Sequence, residues 1–274
     1  MPEGDTIFRT ARTMHRVLAG RTIVAVESTM PSLARAPGIG VLEGRTIDRV
    51  AAQGKHLLIY FSGDFVLRSH MRMHGSWHLY RTGDRWKRPR GSMRIVLRTA
   101  EVEAVAFDTP DAELVRTRDL ARLIPLKHLG PDLLSGDFDA DEATRRVVAI
   151  PDRDIADALL DQQSAAGIGN VIKSEVLFML GIHPRARVGT LSPPIVRQLL
   201  DEARRVLQIS VAEGGVERRT TGRVQPDARL YVYGRADRPC RRCGTLIQFA
   251  KQGRDARSTY WCPRCQPERA MGHP

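Results

Sequence analysis

The sequence predicts an α+β protein with three parts: a β-rich N-terminal domain, a helical domain and a C-terminal hairpin held together by a metal. Short β-rich runs occupy the first part, helical patterns replace them after Leu129-Gly130-Pro131, and all four cysteines lie in the last 35 residues. A chain of 274 residues with 42% hydrophobic content can form one to three ordinary domains. We place these domains at residues 1–130, 131–222 and 223–274.

The first predicted element is an amphipathic helix that begins almost at the first residue. Asp5 can cap this helix, and Gly20 is placed to end it. Between them, apolar residues recur at the spacing of one helical face: Ile7, Ala11, Met14 and Leu18. The pattern therefore predicts a helix with one buried face.

Residues 22–107 have the pattern of short strands. Turn signals such as Ser62-Gly63-Asp64 and Thr82-Gly83-Asp84 separate the runs. The runs include Thr22–Val26, Leu57–Phe61, Phe65–Leu67, Trp77–Tyr80, Met93–Leu97 and Val102–Phe107. This arrangement is typical of an antiparallel sandwich or barrel.

Helical patterns then cover Asp141–Ile150, Asp154–Asp161, Val171–Leu180 and Pro193–Val211. Ser192 can cap the last of these helices, whose first positions are prolines. A strand-rich tail with the cysteines follows.

The cysteines form two CxxC pairs, Cys240 with Cys243 and Cys262 with Cys265, and eighteen residues separate the pairs. This is the spacing of a zinc site with four thiolate ligands. Two disulfides in a secreted protein are the alternative. We expect no signal peptide, and the first 239 residues contain no cysteine, which favours a reducing cytoplasm. Four sulfur ligands leave no open position, so one structural Zn²⁺ is predicted.

The charge balance indicates a polyanionic partner. The net charge is +12, and basic residues outnumber acidic ones by 13 to 6 from Ser210 to the end of the chain. No apolar run approaches the roughly 18 to 20 residues that span a bilayer, so we expect no membrane partner.

Two segments could bind such a partner. Ala166-Gly167-Ile168-Gly169-Asn170 leads into a helix, where free amides and the helix dipole favour an anion such as a phosphate. The alternatives are a tight turn between helices and a capping role for Asn170. In the predicted zinc hairpin, Leu246–Ala250 and Ser258–Trp261 alternate like strands, and residues 251–257 form a tip with arginines. These arginines could clamp a phosphate or could only be solvated.

The N-terminal sequence Met1-Pro2-Glu3 could supply a nucleophile. We expect removal of Met1, which would leave the secondary amine of Pro2 beside the carboxylic acid of Glu3. An α-amino group has a pKa of about 7.7 to 8 and is closer to the neutral, nucleophilic form than lysine is. Such an amine can condense with a sugar carbon, and Glu3 could move the protons.

Motifs along the whole chain point to one family. They are Pro2-Glu3-Gly4, Gly54-Lys55-His56, Asp161-Gln162-Gln163, Gly167-Ile168-Gly169-Asn170, Ser174-Glu175, Tyr233-Gly234-Arg235, Arg257 and the two cysteine pairs. The sequence thereby resembles the formamidopyrimidine-DNA glycosylase and endonuclease VIII family. The resemblance implies an enzyme of base-excision repair that removes oxidised bases and nicks the strand as an abasic-site lyase. It also implies a β-sandwich with flanking helices, a helix-two-turn-helix domain and a zinc finger.

The resemblance assigns roles to individual residues. Pro2 would form a Schiff base with the damaged nucleotide, and Glu3 would act as the acid that opens the sugar. Lys55 would reach a phosphate and support catalysis, although it could be only an exposed strand lysine. Asn170 and Arg257 would hold the DNA backbone on both sides of the lesion, and Arg257 is counted with the catalytic residues.

A further implied function belongs to Ser69–Gly75, the loop that would fill the space of the extruded base. Arg72, Met73 and His74 are the candidate wedge, because a wedge needs bulky and partly apolar side chains. Core packing is the alternative for Met73.

The branch of the family follows from one missing segment. Residues 214–227 lack the longer capping loop and its signature that formamidopyrimidine-DNA glycosylases usually carry. This favours the endonuclease VIII branch and oxidised pyrimidines; oxidised purines are the alternative. Asp5-Thr6 replaces the usual Pro-Glu, so no role of that glutamate can be transferred.

Two other classes of protein compete with the enzyme. A zinc-ribbon DNA-binding protein would bind by sequence and form no covalent adduct. An RNA-associated protein would prefer RNA. We favour a monomeric enzyme that acts on damaged or abasic double-stranded DNA in the cytoplasm.

Overall fold

The structure is a computed structural model that describes residues 2–35, 38–212 and 218–268. The chain divides into two compact units, an N-terminal unit of Met1–His128 and a C-terminal unit of Leu129–Pro274. The predicted fold class is confirmed: a β-sheet domain with flanking helices precedes a helical domain and a two-stranded finger.

In its described residues, the N-terminal unit contains helix α1 (Gly4–Leu18), the short helices α2 (Pro31–Ala34) and α3 (Ile124–Lys127), and eight strands. The strands are β1 (Ala25–Ser28), β2 (Ile47–Gln53), β3 (His56–Phe61), β4 (Phe65–His70), β5 (Ser76–Arg81), β6 (Met93–Arg98), β7 (Val102–Phe107) and β8 (Asp111–Arg116). They form two antiparallel sheets in the orders β1-β6-β7-β5 and β2-β3-β4-β8. Apolar residues of both sheets and of α1 share one core, so the fold is a sandwich rather than a closed barrel.

Three local predictions for this unit need correction. Helix α1 begins at Gly4 with Glu3 as its N-cap, and Asp5 is buried inside the helix instead of capping it. Strand β1 starts at Ala25, and Thr22 makes only an isolated bridge to Thr46. Strands β2 and β8 were not among the predicted runs, because both carry charged residues and alternate only partly between buried and exposed positions.

The turn signal Ser62-Gly63-Asp64 is confirmed as the connection between β3 and β4. Gly63 and Asp64 both have positive φ, at 75° and 64°. A tight hairpin turn of this kind needs two such residues, which glycine and aspartate provide at low cost.

The C-terminal unit contains helices α4 (Ala140–Val148), α5 (Ile155–Leu160), α6 (Asn170–Met179) and α7 (Pro193–Ala212). Their apolar faces form a separate core. Helix α6 lies at its centre and is buried on all sides from Asn170 to Phe178. No helix in the described ranges is long and apolar enough to cross a bilayer.

The finger contains strands β9 (Gln248–Gln252) and β10 (Arg257–Trp261), paired antiparallel from Arg257↔Gln252 to Trp261↔Gln248. The first strand therefore begins two residues later than predicted, and the second begins one residue earlier. The cysteine pairs lie on either side of this hairpin in sequence and pack with Val232 and Ile247.

Candidate functional site

Helix α1 carries the N-terminal residues toward one end of the sheet β2-β3-β4-β8. The helix packs against β2 and β3. At its C-terminal end, the amide of Gly20 donates to the carbonyl of Ile47 at 2.8 Å, and further along His15 Nδ1 accepts from the amide of Val50 at 3.2 Å. The helix therefore runs antiparallel to β2, so its first residues lie at the Gln53 end of that strand.

Lys55 lies at this same end of the sheet. Gly54 and Lys55 form the two-residue turn between β2 and β3, closed by the pair Gln53↔His56. Glu3 is completely buried at the start of α1, whereas Pro2 and Lys55 are half-buried. The structure thus brings the N-terminal unit's three predicted catalytic residues to one end of one sheet. The predicted removal of Met1 lies outside the described residues.

The predicted wedge loop also begins at this end. His56 pairs with His70 across β3 and β4, and residues 71–75 connect β4 to β5. Arg72, Met73 and His74 are all exposed, and 47% of Met73 is accessible to solvent, so core packing of Met73 is excluded. A Cβ on Gly75 would come within 2.4 Å of the carbonyl oxygen of Met71, so only glycine fits this tight loop.

A polar network lies under the wedge loop, on the face of the sheet opposite to the apolar core. Arg68 is completely buried and contacts His56 Nδ1 at 3.0 Å, Asp111 Oδ1 at 2.5 Å and Glu113 Oε2 at 3.5 Å. Arg72 of the loop contacts the other oxygen of Asp111 at 3.4 Å. The network therefore connects the strands to the loop.

His56 and His70, which pair across β3 and β4, are held in the neutral form. Burial lowers the pKa of His56 to about 3, with further lowering from the charges of His70 and Arg68. Burial also lowers the pKa of His70 to about 4, and the charges of Arg72 and Lys55 act in the same direction. Neutral His70 accepts a hydrogen bond from the amide of Arg72 at 3.0 Å, which orients the start of the loop.

In the C-terminal unit, the predicted glycine-rich turn leads directly into α6. Gly167 has a φ of 110°, and its amide donates to Gln162 Oε1 at 3.1 Å. The side-chain nitrogen Nε2 of Gln162 donates in turn to the carbonyl of Ile168 at 3.1 Å. Gly169 is the N-cap of the helix, so Asn170 is its first residue rather than its cap. This geometry places the Asn170 side chain at a helix N-terminus, where anions are favoured.

Arg257 is the first residue of β10, at the end of the hairpin turn. Its guanidinium contacts Asp255 Oδ2 at 3.1 Å, and 41% of its side chain is exposed. The base of the turn is anchored on the residue before α5 and on the loop after α6, because Gln252 Nε2 donates to Asp154 Oδ2 at 3.0 Å and to the carbonyl of Pro184 at 3.2 Å. A strand that is held in this way presents Arg257 in a defined position.

The four cysteines form one compact cluster. Their sulfur atoms lie within 4.8 Å of one another, with Cys240–Cys265 at 3.9 Å and Cys243–Cys262 at 3.4 Å. Tetrahedral zinc with bonds of about 2.3 Å to sulfur requires sulfur separations of about 3.8 Å, so the cluster fits this ion. Gln266 Oε1 accepts from the amide of Cys262 at 3.0 Å and braces the second pair. The predicted structural zinc site is confirmed.

Comparison with known proteins agrees with this geometry. Three family models match: the formamidopyrimidine-DNA glycosylase N-terminal domain at residues 1–119, the formamidopyrimidine-DNA glycosylase H2TH domain at 129–221 and the zinc finger found in FPG and IleRS at 238–267. The probable endonuclease 8 2 of Streptomyces coelicolor is 42% identical over 97% of this chain and 94% of its own. The chain belongs to the formamidopyrimidine-DNA glycosylase and endonuclease VIII family.

A second relative in this family is the DNA-(apurinic or apyrimidinic site) lyase Nei2 of Mycolicibacterium smegmatis, 40% identical over 97% of this chain and 99% of its own. Both names agree with the predicted endonuclease VIII branch. The solved structure of Lactococcus lactis formamidopyrimidine-DNA glycosylase bound to DNA with an abasic site is 28% identical, with a TM-score of 0.82 over 97% of this chain and 100% of that one.

Sequence patterns did not reveal the supporting residues of this family member. Arg68, Asp111 and Lys173 were not predicted, although two of them have a signal: Arg68 interrupts an apolar strand, and Lys173 interrupts an apolar helix. A charged residue inside a buried element must be paired, which is a reason to search for its partner.

Proposed function

We propose that the protein is a bifunctional DNA glycosylase and abasic-site lyase of base-excision repair, with the N-terminal amine of Pro2 as its nucleophile. The observation that carries this proposal is the convergence of Pro2, buried Glu3, Lys55 and the exposed Met73 loop at one end of a sheet. An amine, a proton donor, a phosphate-binding cation and a wedge are the groups that base removal requires.

The chemistry follows from the amine. Neutral Pro2 attacks the anomeric carbon of the damaged nucleotide, the base leaves with its bonding electron pair and takes up a proton, and the sugar ring opens. The nitrogen of Pro2 loses its proton and the ring oxygen takes one up as the ring opens, so an iminium ion links Pro2 to this carbon. The iminium withdraws electrons from the sugar, so the neighbouring C–H bond can lose a proton and the 3′ phosphate can leave. Hydrolysis then releases Pro2.

Glu3 suits the role of the acid in this sequence. It is completely buried at the N-cap of α1, next to Pro2 in the chain, so a proton would move within the site rather than through bulk water. Lys55, on its tight turn, would hold the phosphate beside the lesion.

DNA would be held by its backbone. Asn170 at the start of α6 and Arg257 at the start of β10 would bind phosphates, and such contacts position the duplex without reading its sequence. Arg72, Met73 and His74 would fill the space that the extruded nucleotide leaves. Zinc bound by the four cysteines would shape the hairpin that carries Arg257.

We propose oxidised pyrimidines as the preferred lesions. The segment that would cap an extruded base spans only residues 214–227. Its described part is held in place, because Thr220 and Thr221 donate through their amides to the carbonyl of Arg229 at 2.9 and 3.2 Å. The Thr220 hydroxyl also donates to buried Glu175. A segment held in this way supports a lesion pocket without a long purine cap.

We also propose the three-domain organisation that the sequence indicated. Residues 1–130 would form the catalytic domain, 131–222 the helix-two-turn-helix domain and 223–274 the zinc-finger domain, in a monomer that acts on duplex DNA. The separation of the chain after His128 supports the first boundary.

The test is borohydride trapping of the iminium on duplexes that carry thymine glycol, dihydrouracil, 8-oxoguanine or an abasic site. We expect a covalent product, strongest on the pyrimidine lesions and the abasic site. The Pro2→Gly variant should lose most base removal but keep binding to abasic DNA. Lys55→Ala should slow catalysis, whereas Lys87→Ala, at an exposed lysine of the same unit, should not. Absence of a trapped product on every duplex would refute the lyase.

A further inference from the structure

Lys173 is a buried lysine that the proposed mechanism does not use. It lies in α6, three residues after Asn170, and its side chain is completely inaccessible to solvent. Burial removes water from an ammonium group, and this is tolerated only where other groups replace the lost hydrogen bonds. The partners of Lys173 therefore show which parts of the structure the lysine connects.

The ammonium group joins the helix to the zinc finger. Nζ donates to the Thr259 hydroxyl at 2.8 Å and to the carbonyl of Ser258 at 3.0 Å, both in β10, and it contacts Asn170 Oδ1 at 3.4 Å. An ammonium group has three N–H donors, and these oxygen atoms lie within hydrogen-bonding distance of it. Helix and strand, 86 positions apart in the chain, thus share one buried cation.

The contact with Asn170 determines how its amide is oriented. An ammonium group can only donate, so the amide atom that faces it must be the oxygen. The amide NH₂ is consequently at the opposite side of the group, and it is the NH₂ that can donate to a phosphate. Asn170 is 4% exposed, so its amide has little freedom to rotate.

The contacts with β10 bear on Arg257. Thr259 is completely buried, and its hydroxyl, which accepts from Lys173, lies 3.5 Å from the carbonyl oxygen of Arg257. Ser258, whose carbonyl accepts from Lys173, follows Arg257 directly in the chain. Lys173 therefore holds the first residues of the strand that presents Arg257.

We propose that Lys173 is a positioning residue that couples Asn170 and Arg257 into a single phosphate-binding site. The proposal rests on the DNA contacts proposed above for those two residues. Lys173 itself does not bind the phosphate. It fixes the orientation of the Asn170 amide and the position of the strand that carries Arg257. Both side chains can therefore contact the DNA backbone without a further loss of conformational entropy.

The finger has other anchors, so loss of Lys173 should not unfold it. Gln252 binds Asp154 and Pro184, and a Cβ on Gly253 would come within 2.4 Å of Asp157 Oδ1, which shows how closely the turn packs on α5. The four cysteines hold the other end of the hairpin. A variant at Lys173 can therefore be tested in the folded, zinc-bound protein.

The test compares Lys173→Met with Lys87→Met in the full chain. Lys87 is an exposed lysine of the N-terminal unit, so the control removes the same charge and leaves the buried link and the finger intact. Binding is measured with a duplex that carries a tetrahydrofuran abasic site, together with zinc content and thermal unfolding. We expect Lys173→Met to weaken binding by about tenfold or more, since it removes charge-assisted hydrogen bonds, and Lys87→Met to weaken it far less.

A double-mutant cycle separates positioning from simple support of the fold. Asn170→Ala and Arg257→Ala are combined in the parent protein and in Lys173→Met. The two changes should be non-additive in the parent by at least about threefold in Kd and additive once Lys173 is replaced. Thr259→Val removes one acceptor and keeps the lysine, so it should also reduce the coupling between Asn170 and Arg257. This variant replaces Lys173→Met in the cycle if Lys173→Met does not bind zinc.

Three results would overturn the proposal. The first is equal binding by the Lys173→Met and Lys87→Met variants. The second is an unchanged coupling between Asn170 and Arg257 in Lys173→Met, even if its thermal stability falls. The third is normal binding by both single variants Asn170→Ala and Arg257→Ala, which would refute the proposed DNA contacts themselves while leaving Pro2 trapping unaffected.

Discussion

Arg68 donates to Asp111 at 2.5 Å from a side chain with no solvent exposure, and this ion pair joins β4 to β8 under the wedge loop. Arg72, a residue of that loop, contacts the other oxygen of the same carboxylate. This ion pair therefore supports both the sheet and the candidate wedge.

Replacement of Arg68 by methionine tests this support. The change leaves the partly buried Asp111 without its main partner, so we expect a loss of about 1–3 kcal/mol in the free energy of unfolding. The control is Arg21→Met, which breaks the more exposed pair with Glu101 and should cost less than about 1 kcal/mol. Both are measured by urea unfolding with tryptophan fluorescence. Equal losses in the two variants would contradict the role of Arg68.

Stability should depend on pH through the two neutral histidines. Burial lowers the pKa of His56 to about 3 and that of His70 to about 4, so between these values and about 6.5 the unfolded chain binds more protons than the folded one. The contribution of these histidines to the free energy of unfolding is fully present above about pH 6.5 and is lost as the pH falls toward their folded-state pKa values.

The change of the free energy of unfolding with pH identifies which histidine is responsible for the pH dependence. Each histidine should contribute up to about 1.4 kcal/mol per pH unit within its window. His56→Gln should remove one such contribution from urea-unfolding free energies measured between pH 4.5 and 7.5. Asp111 acts in the same direction at lower pH: burial would raise its pKa, but the hydrogen bond and charge of Arg68 and the charge of Arg72 lower it. An unaltered slope in His56→Gln would show that His56 is not the titrating group.

Loss of one zinc ligand should abolish DNA binding without touching the nucleophile. Cys262 is completely buried, and Cys262→Ser should reduce zinc content well below one ion per chain because a closed site needs all four ligands. Binding to an abasic duplex should fall with the zinc content, measured by metal analysis and fluorescence anisotropy. Pro2→Gly is the control and should keep its zinc. Unchanged binding by zinc-free protein would show that the zinc finger does not contribute to DNA binding.

Removal of Asp255 should strengthen DNA binding. Asp255 lies 3.1 Å from the guanidinium of Arg257, so a phosphate must compete with this carboxylate. Because an exposed pair of this kind is worth up to about 1 kcal/mol, Asp255→Asn should lower Kd by up to about fivefold. Asp237→Asn changes the charge of the same finger equally and is the control. The competition model fails if both variants bind equally well.

The sequence by itself determined the features that depend on nearby residues. The spacing of Cys240, Cys243, Cys262 and Cys265 predicted the zinc site because two tight CxxC turns are enough to present four thiolates. The apolar period of α1 and α7 predicted both helices, since a helical face repeats within a few residues. Whole-chain motifs predicted the family.

Tertiary structure alone decided which distant residues meet. Arg68 and Asp111 are 43 positions apart, and Lys173 and Thr259 are 86 positions apart. Strand pairing and helix packing set these contacts, and neither leaves a periodic signal in one sequence. Burial also decided their importance, because a charge that loses its water must find a specific partner. The sequence thus identified the candidate residues for chemistry and DNA binding, and the fold showed which buried charges support the wedge loop and Arg257.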